Sequence, residues 1–145
     1  MKNFASKVSK KSLLSTIGFL SCISFNTYAY DTSTISGHPT STISLQSNET
    51  YDFGWRNIYG DSLGSNHLFK CQGKSNITLK NVTIRDTNRF GIWVKGCNDL
   101  TLTNINLRNT GWGGIRFEKG TANSDITLSN INGNGMGGHG IELWD

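Results

Sequence analysis

The chain has 145 residues with 14 Lys and Arg against 10 Asp and Glu, which gives a formal net charge of +4. Four of the basic residues lie within the first 11 positions, so the rest of the chain carries ten charges of each sign. No basic cluster that could neutralise a run of phosphates remains, and we expect no nucleic-acid partner. The length corresponds to one small domain, and three cysteines are too few for a disulfide scaffold.

The N-terminus has the layout of a secretory signal peptide. Lys2 to Lys11 form a basic stretch, Leu13 to Phe25 an apolar run, and Thr27-Tyr28-Ala29 a small-residue cleavage site. The apolar run is short and interrupted by Ser, so we expect no membrane span, and an uncleaved anchor is the less favoured alternative. We therefore predict a signal peptide over residues 1–29, cleavage near Ala29, and a protein secreted to the periplasm or the exterior.

Residues 30–68 predict an N-terminal cap and an irregular first coil. Ile43-Ser44-Leu45 and Tyr51–Ile58 alternate apolar and polar residues, which is typical of strands. Residues 30–40 either pair with this coil as a cap or remain loose.

Residues 69–145 contain an internal repeat. Its units recur after 23 and then 26 residues, and the three extra residues fall between Phe117 and Ile126. Apolar and polar residues alternate, so each unit predicts three short strands that pair with the next unit. This pattern indicates an all-β fold, a parallel β-helix (solenoid) of three to four coils. The first two strands of the units are residues 76–84, 99–107 and 125–133, and the third strands are residues 91–94, 114–117 and 140–143.

Residues at equal positions in successive units form columns. Polar columns suit the corners, because Asn tolerates left-handed backbone and its amides can bond along the stack. The inward columns are Ile77/Leu100/Ile126, Leu79/Leu102/Leu128, Val82/Ile105/Ile131, Ile92/Ile115/Ile141 and Val94/Phe117/Leu143, and the structural columns are Asn81/Asn104/Asn130 and Gly91/Gly114/Gly140.

Cys71 lies 23 residues before Val94 and therefore falls in an inward column. We interpret it as a core residue rather than a reactive thiol. Cys97 lies in a turn one coil further on, and a disulfide between the two is the less favoured alternative.

The Asn column and the repeated Gly-Ile-x-hydrophobic strand resemble the right-handed parallel β-helix repeats of the pectate-lyase superfamily, also called the pectin lyase-like fold. The resemblance covers residues 69–145 most specifically. It implies that the Gly-Ile-x-hydrophobic strands form the sheet whose outer face carries the substrate groove. It does not select an activity, because the superfamily includes lyases, hydrolases, esterases and adhesins.

That assignment selects candidate site residues on and beside the third strands. Aromatic faces stack on sugar rings, and charged groups bind hydroxyls and carboxylates, so an acidic polysaccharide is the expected partner. The candidates for substrate binding are Trp93, Trp112, Arg89 and Trp144, and the candidates for catalysis are Arg116, Glu142, His139, Lys95 and Glu118.

Two chemistries fit these candidates. A lyase needs a base and a cation that stabilises the enolate-like charge; Arg116, Lys95 or His139 would serve, with Ca²⁺ on Asp86, Glu118 and Glu142 as the expected cofactor. A hydrolase needs two carboxylates, and Glu118 and Glu142 on adjacent coils would lie roughly 7–8 Å apart, within the range for inversion. Gly138-His139-Gly140 is similar to a polygalacturonase segment, but the paired aspartates of that family are absent, so no role is carried over.

The leading hypothesis is pectate lyase-like β-elimination on an acidic polysaccharide, and glycoside hydrolysis is the second enzymatic alternative. A non-catalytic surface, adhesive or carbohydrate-binding β-helix is the alternative from another class, in which Arg116–Glu142 and Lys95–Glu118 are only surface ion pairs. The enzyme hypothesis predicts Trp93 and Trp112 exposed along one groove. Because the last coil ends uncapped, we also expect either an inactive fragment of a larger pectin lyase-like enzyme or one half of an oligomer, with further coils or a second chain covering this end.

Overall fold

The computed structural model describes residues 26–119 and 122–144, so most of the predicted signal peptide lies outside the described residues. These residues form ten strands and two short 3₁₀ helices, Thr32–Thr34 and Asp61–Leu63. The strands are β1 Tyr28–Ala29, β2 Ile43–Ser44, β3 Glu49–Tyr59, β4 Phe69–Gln72, β5 Ser75–Thr87, β6 Phe90–Lys95, β7 Asn98–Thr110, β8 Gly113–Phe117, β9 Ser124–Asn134 and β10 Ile141–Leu143.

The strands form two parallel sheets that wind in about four successive coils. One sheet has the order β1-β3-β5-β7-β9 and the other has the order β10-β8-β6-β4-β2. Each strand therefore pairs with its counterpart one coil away, which is the architecture of a parallel β-helix. The predicted all-β solenoid is confirmed.

The pairing register matches the predicted columns. Leu79 pairs with Leu102 and Leu102 with Leu128, so the three extra residues of the third unit do not shift the strands. Leu79 and Leu102 are fully buried, and burying such a side chain stabilises the fold by about 1.5–3 kcal/mol. Burial decreases in the last coil, where Leu128 is only partly buried and Leu143 is 75% exposed.

The first two predicted strands of each unit are one continuous strand with a bend. In β5 and β7 the pairing runs from Lys80–Thr103 directly to Val82–Ile105, and the Asn between them takes up the corner. Asn81, Asn104 and Asn130 have φ angles of 54°, 56° and 50°, in the left-handed region that Asn tolerates. The corner therefore turns the chain without ending the hydrogen-bonded ladder, and two sheets result where three were predicted.

The side-chain amides at the corners form a ladder of hydrogen bonds in which each amide donates to the coil before it. The Asn130 amide donates to Asn104 (2.7 Å), Asn104 donates to Asn81 (2.8 Å), and Asn81 donates to the Asp52 carboxylate (2.9 Å). The Asn81 amide, together with the Gly54 backbone N–H, holds the pKa of Asp52 below its ordinary value. A carboxylate thus accepts the last bond at the N-terminal end of the ladder.

Two members of the Gly91/Gly114/Gly140 column differ in how closely their surroundings approach. A Cβ at Gly114 would lie 2.4 Å from the Gly140 carbonyl oxygen and 2.8 Å from Leu107, so no side chain fits there. At Gly140 the nearest atom would be the Met136 methyl at 3.5 Å, an ordinary contact. Close packing thus requires glycine at Gly114 but not at Gly140.

Cys71 and Cys97 form a disulfide with a Cα–Cα distance of 6.3 Å. The favoured interpretation, in which the two thiols were unpaired, is therefore wrong, although Cys71 is fully buried as predicted. Cys71 lies in the inward column with Val94. Cys97 is equally buried, in the turn that follows β6 one coil further on, so the two sulfurs meet inside the stack.

The N-terminal segment extends the stack. Ile43–Ser44 pairs with Phe69–Lys70, and a register shift between Asp52 and Arg56 makes this coil irregular. Tyr28–Ala29 pairs with Glu49–Thr50, so cleavage after Ala29 would separate this short strand from the sheet.

Candidate functional site

A groove of about 550 Å³ lies on the outer face of the second sheet, where β4, β6 and β8 run side by side with the turns that precede them. Its walls carry basic and aromatic side chains from several coils. The lining includes His67, Lys70, Arg89, Phe90, Trp93, Trp112, Arg116, Glu118 and Trp144. Six of the predicted site residues therefore lie in one groove.

The strand register places these side chains. Lys70 pairs with Trp93, Trp93 with Arg116, and Arg116 with Glu142, so one outward position recurs on four strands. Their neighbours in the chain, such as Cys71, point into the core and are buried. Alternation along each strand thus fixes which residues face the groove.

Trp112 presents the open aromatic surface of the groove. Its side chain is 51% exposed, the Arg89 guanidinium lies 4.1 Å from its ring centroid, and Phe90 contacts it edge-on at 6.1 Å. Cation–π contacts of this kind contribute about 0.5–1 kcal/mol at exposed sites. Arg89 is therefore held beside an aromatic face that a ligand can reach.

Trp93 is partly covered and lies at the floor of the groove. Its ring stacks on His67 at 5.6 Å with an interplanar angle of 8°, and the Lys70 ammonium lies 5.3 Å from it. Its indole Nε1 donates to Glu118 at 3.3 Å. Of the two tryptophans predicted to be exposed along the groove, Trp112 is open and Trp93 is half-buried within a polar and aromatic stack.

Arg116 is held by two carboxylates and an aromatic ring. It donates through Nε to Glu118 at 3.0 Å, its Nη1 lies 3.5 Å from Glu142, and its guanidinium lies 3.6 Å from the Trp144 centroid. Only 8% of the residue is exposed. Because both carboxylates bind this one guanidinium, Glu118 and Glu142 do not form the free acid–base pair that hydrolysis requires.

The groove carries excess positive charge. Lys70, Arg89 and Arg116 line it against the single carboxylate of Glu118. Within residues 26–119 and 122–144, neither Lys70 nor Arg89 has an acidic partner within 4 Å. Two unpaired cations beside apolar rings favour an anionic ligand with an apolar face.

His67 belongs to the groove, although the sequence analysis did not select it. Burial, followed by the positive charges of Arg89, Arg116 and Lys70, lowers the pKa of His67 to about 4, against a smaller opposing effect of Glu118. The imidazole is therefore neutral near pH 7. Its Nδ1 is buried, and among the described residues it has no hydrogen-bond partner.

The repeat contains the signal that would have found these residues. His67 precedes Phe90 by 23 residues and Lys70 precedes Trp93 by the same number. Extending the outward column of Trp93, Arg116 and Glu142 one coil upstream would therefore have selected Lys70, whereas His67 aligns with the buried Phe90 and needs the column of Phe90 as well.

Four predicted residues do not line the groove, although one of them, Glu142, faces Arg116. Lys95 and His139 do not line it, and the His139 side chain is exposed at the turn before β10. Asp86 lies at a corner of the other sheet, where it accepts from Asn109 at 3.0 Å. The predicted Lys95–Glu118 pair is replaced by Glu118 contacts to Arg116 and Trp93.

The predicted calcium set of Asp86, Glu118 and Glu142 is not assembled, because Asp86 belongs to a different sheet and the two glutamates bind Arg116. In the described part of the chain, no three His, Cys, Asp or Glu side chains are close enough together to hold a metal ion.

The fold and groove define a parallel β-helix with a cationic and aromatic surface on one sheet. A family model described as right handed beta helix region matches residues 21–145, and the chain belongs to that family. A search of curated proteins and a search of solved structures each found no match. Of the residues that the structure describes, none belongs to a helix long and apolar enough to cross a membrane.

Proposed function

We propose that this protein is secreted, binds an acidic polysaccharide in the groove defined by Lys70, Arg89, Trp93, Trp112 and Arg116, and cleaves it by β-elimination. The observation that carries the proposal is a pair of cations without an acidic partner, Arg89 beside the exposed ring of Trp112 and Lys70 beside Trp93, in the same groove. A uronate residue has both features that such a surface recognises, a carboxylate and an apolar ring face.

The groove supports binding by two complementary contacts. Arg89 can donate two parallel hydrogen bonds to a carboxylate, and charge-assisted bonds of this kind are roughly twice as strong as neutral ones. The ring of Trp112, 51% exposed, offers a flat face on which a pyranose ring can stack. Because the same outward position recurs on successive strands, a polymer can contact several coils at once.

The charges of the groove favour elimination over hydrolysis. Elimination passes through an enolate-like carboxylate, so it gains from cations that are already in place. Lys70 and Arg89 supply these cations, whereas the only carboxylate among the key lining residues, Glu118, is bound to Arg116. Hydrolysis requires two carboxyl groups, one acting as acid and the other as base, and the groove lining does not supply such a pair.

A non-catalytic polysaccharide-binding β-helix is the second candidate. One observation favours it: Arg116 is fixed by Glu118, Glu142 and Trp144, which makes the centre of the groove a rigid surface. This candidate shares the ligand but predicts binding without cleavage.

The test compares binding and cleavage on the same polymers. The purified protein is incubated with polygalacturonate, alginate and a fully methyl-esterified pectin, with and without added Ca²⁺. Binding is measured by calorimetry, and unsaturated product by its ultraviolet absorbance. We expect binding of the acidic polymers but not of the esterified one, and product from at least one acidic polymer.

Matched variants localise the site. Arg89→Gln and Arg108→Gln remove the same charge, but Arg108 is exposed on β7 in the other sheet. We expect Arg89→Gln to weaken binding about tenfold or more, since a charged hydrogen bond contributes about 1.5–3 kcal/mol. We expect Arg108→Gln to leave binding unchanged.

Trp112→Ala and Trp55→Asn form a second pair of variants. Trp55 serves as the control because it is 52% exposed on β3, and Asn replaces it because Asn tolerates the φ of 66° at this position. Equal effects within either pair would contradict the proposed location, and binding without product would support the second candidate.

A further inference from the structure

We propose that His67 is the general base of the elimination and removes the proton from C5 of the bound uronate. This assignment rests on the proposed function. It deepens that function by naming the group that starts the reaction.

The geometry holds the imidazole in one plane at the wall of the groove. Its ring is parallel to Trp93 within 8° and stacks on Phe90 at 5.8 Å with an interplanar angle of 29°. Nδ1 is buried, so Nε2 is the nitrogen that a ligand in the groove can reach. The Phe90 ring fits in this position because residue 113 is glycine. A Cβ at Gly113 would lie 2.8 Å from the Phe90 ring.

The charges around His67 suit a base that acts next to an anion. Burial first, and then the charges of Arg89, Arg116 and Lys70, lower the pKa of His67 and keep the imidazole neutral, and Glu118 opposes them weakly. A uronate carboxylate bound among these cations would offset their charge. The part of the pKa lowering that these charges cause would then be relieved, so the pKa of His67 would rise when the substrate is present.

The other groove residues are committed elsewhere. Arg116 donates to Glu118 and faces Glu142, and the Glu118 carboxylate accepts from Arg116 and from Trp93. Lys70 and Arg89 are the cations expected to hold the carboxylate. His67 is left as a neutral lining group with an accessible nitrogen.

The step balances without a co-reactant other than water. His67 Nε2 takes the proton from C5, and the electron pair of the broken C5–H bond forms the C4–C5 double bond. The cations stabilise the negative charge that develops on the carboxylate. The C4–O bond breaks, its electron pair leaves with the oxygen, and water protonates that oxygen. The imidazolium then returns its proton to solvent, so the products are an unsaturated uronate end and a new reducing end.

The test separates the base from the binding site. His67→Phe keeps an aromatic ring against Trp93 and Phe90, and His67→Gln is a second variant that keeps a polar side chain. His38→Phe is the matched control, because His38 stacks on Tyr59 at 4.4 Å and does not line the groove. Each is assayed for polygalacturonate binding and for unsaturated product.

We expect both His67 variants to lose about 100-fold or more in the rate of product formation, the usual contribution of a general base, while their dissociation constants stay within about threefold. In the wild type, the His67 ring resonances should report a pKa that rises when monomeric galacturonate, which has no bond to cleave, saturates the groove.

The outcomes distinguish this assignment from the proposed function. Product formation by wild type and by His67→Phe at similar rates would overturn the base alone and leave the elimination intact. Binding lost together with activity in both variants would also overturn it, since His67 would then be a binding residue. A wild-type protein that binds but yields no product, or that does not bind, would overturn the base together with the elimination.

Discussion

Replacing Asn104 tests whether the corner ladder stabilises the fold through its amides or only through its backbone. Asn104 donates to Asn81 at 2.8 Å, accepts from Asn130 at 2.7 Å, and has a φ of 56°. Asn104→Gly removes both side-chain bonds and leaves a residue that adopts positive φ freely. Asn104→Ala removes the same bonds and adds steric strain.

The two amide bonds set the expected size of the effect. At about 0.5–1.5 kcal/mol per hydrogen bond, their loss lowers the free energy of unfolding by roughly 1–3 kcal/mol in Asn104→Gly. Left-handed backbone costs a residue with a Cβ about 1–2 kcal/mol, and glycine adds about 0.5–1 kcal/mol through its unfolded-state entropy. We therefore expect Asn104→Ala to be the less stable variant, by up to about 1.5 kcal/mol.

Urea unfolding followed by circular dichroism measures both variants. With m between about 1 and 3 kcal/mol/M, a loss of 2 kcal/mol lowers the midpoint by about 0.7–2 M. The midpoints report the change in stability directly when each variant has the same m as the wild type. A midpoint for Asn104→Gly equal to that of the wild type would refute a stabilising role for the amides, and a more stable Asn104→Ala than Asn104→Gly would refute the backbone argument.

Three further predictions concern the stack. Reducing the Cys71–Cys97 bond, which closes a separation of 26 residues, should cost about 3–4 kcal/mol of stability in the chain-entropy model, seen as a lower unfolding midpoint with reductant. Because the pKa of Asp52 is lowered in the fold, its stabilising effect is complete well above pH 4 and is lost as the pH falls below about 4; Asp52→Asn should flatten that part of a pH–stability curve. Ile105→Ala should cost about 2–5 kcal/mol, and Ile131→Ala in the partly buried last coil clearly less, with equal losses contradicting the burial gradient.

The columns of the fold were predictable because each coil repeats the same order of inward apolar and outward polar positions. Inward apolar positions such as Leu79 and Leu102 gain only when they stack, so one register satisfies all of them at once. The Asn corners were predictable for a related reason, since few residues tolerate their backbone. That the corner does not interrupt the ladder was not predictable, because alternation alone does not show whether two strands separated by one residue remain hydrogen-bonded.

Two groupings made from the sequence, the two unpaired cysteines and the calcium ligands Asp86, Glu118 and Glu142, differ from the structure for geometric reasons. Cys97 lies in a turn, and the repeat gives the direction of strand side chains but not of turn side chains, so its approach to Cys71 was not visible. Asp86 was grouped with Glu118 and Glu142 by chemical type alone. Its corner belongs to β5 in the other sheet.

The departures from the repeat lie close to the proposed site. The three-residue expansion of the third unit begins just after Phe117, and Glu118, the first residue of that turn, binds both Arg116 and the Trp93 indole. Turns can vary while the stack stays intact, so new side chains reach the groove at little cost to stability. The regular columns therefore supply the scaffold, and the turns at the ends of the second-sheet strands, which hold Glu118, His67 and Arg89, supply much of the chemistry.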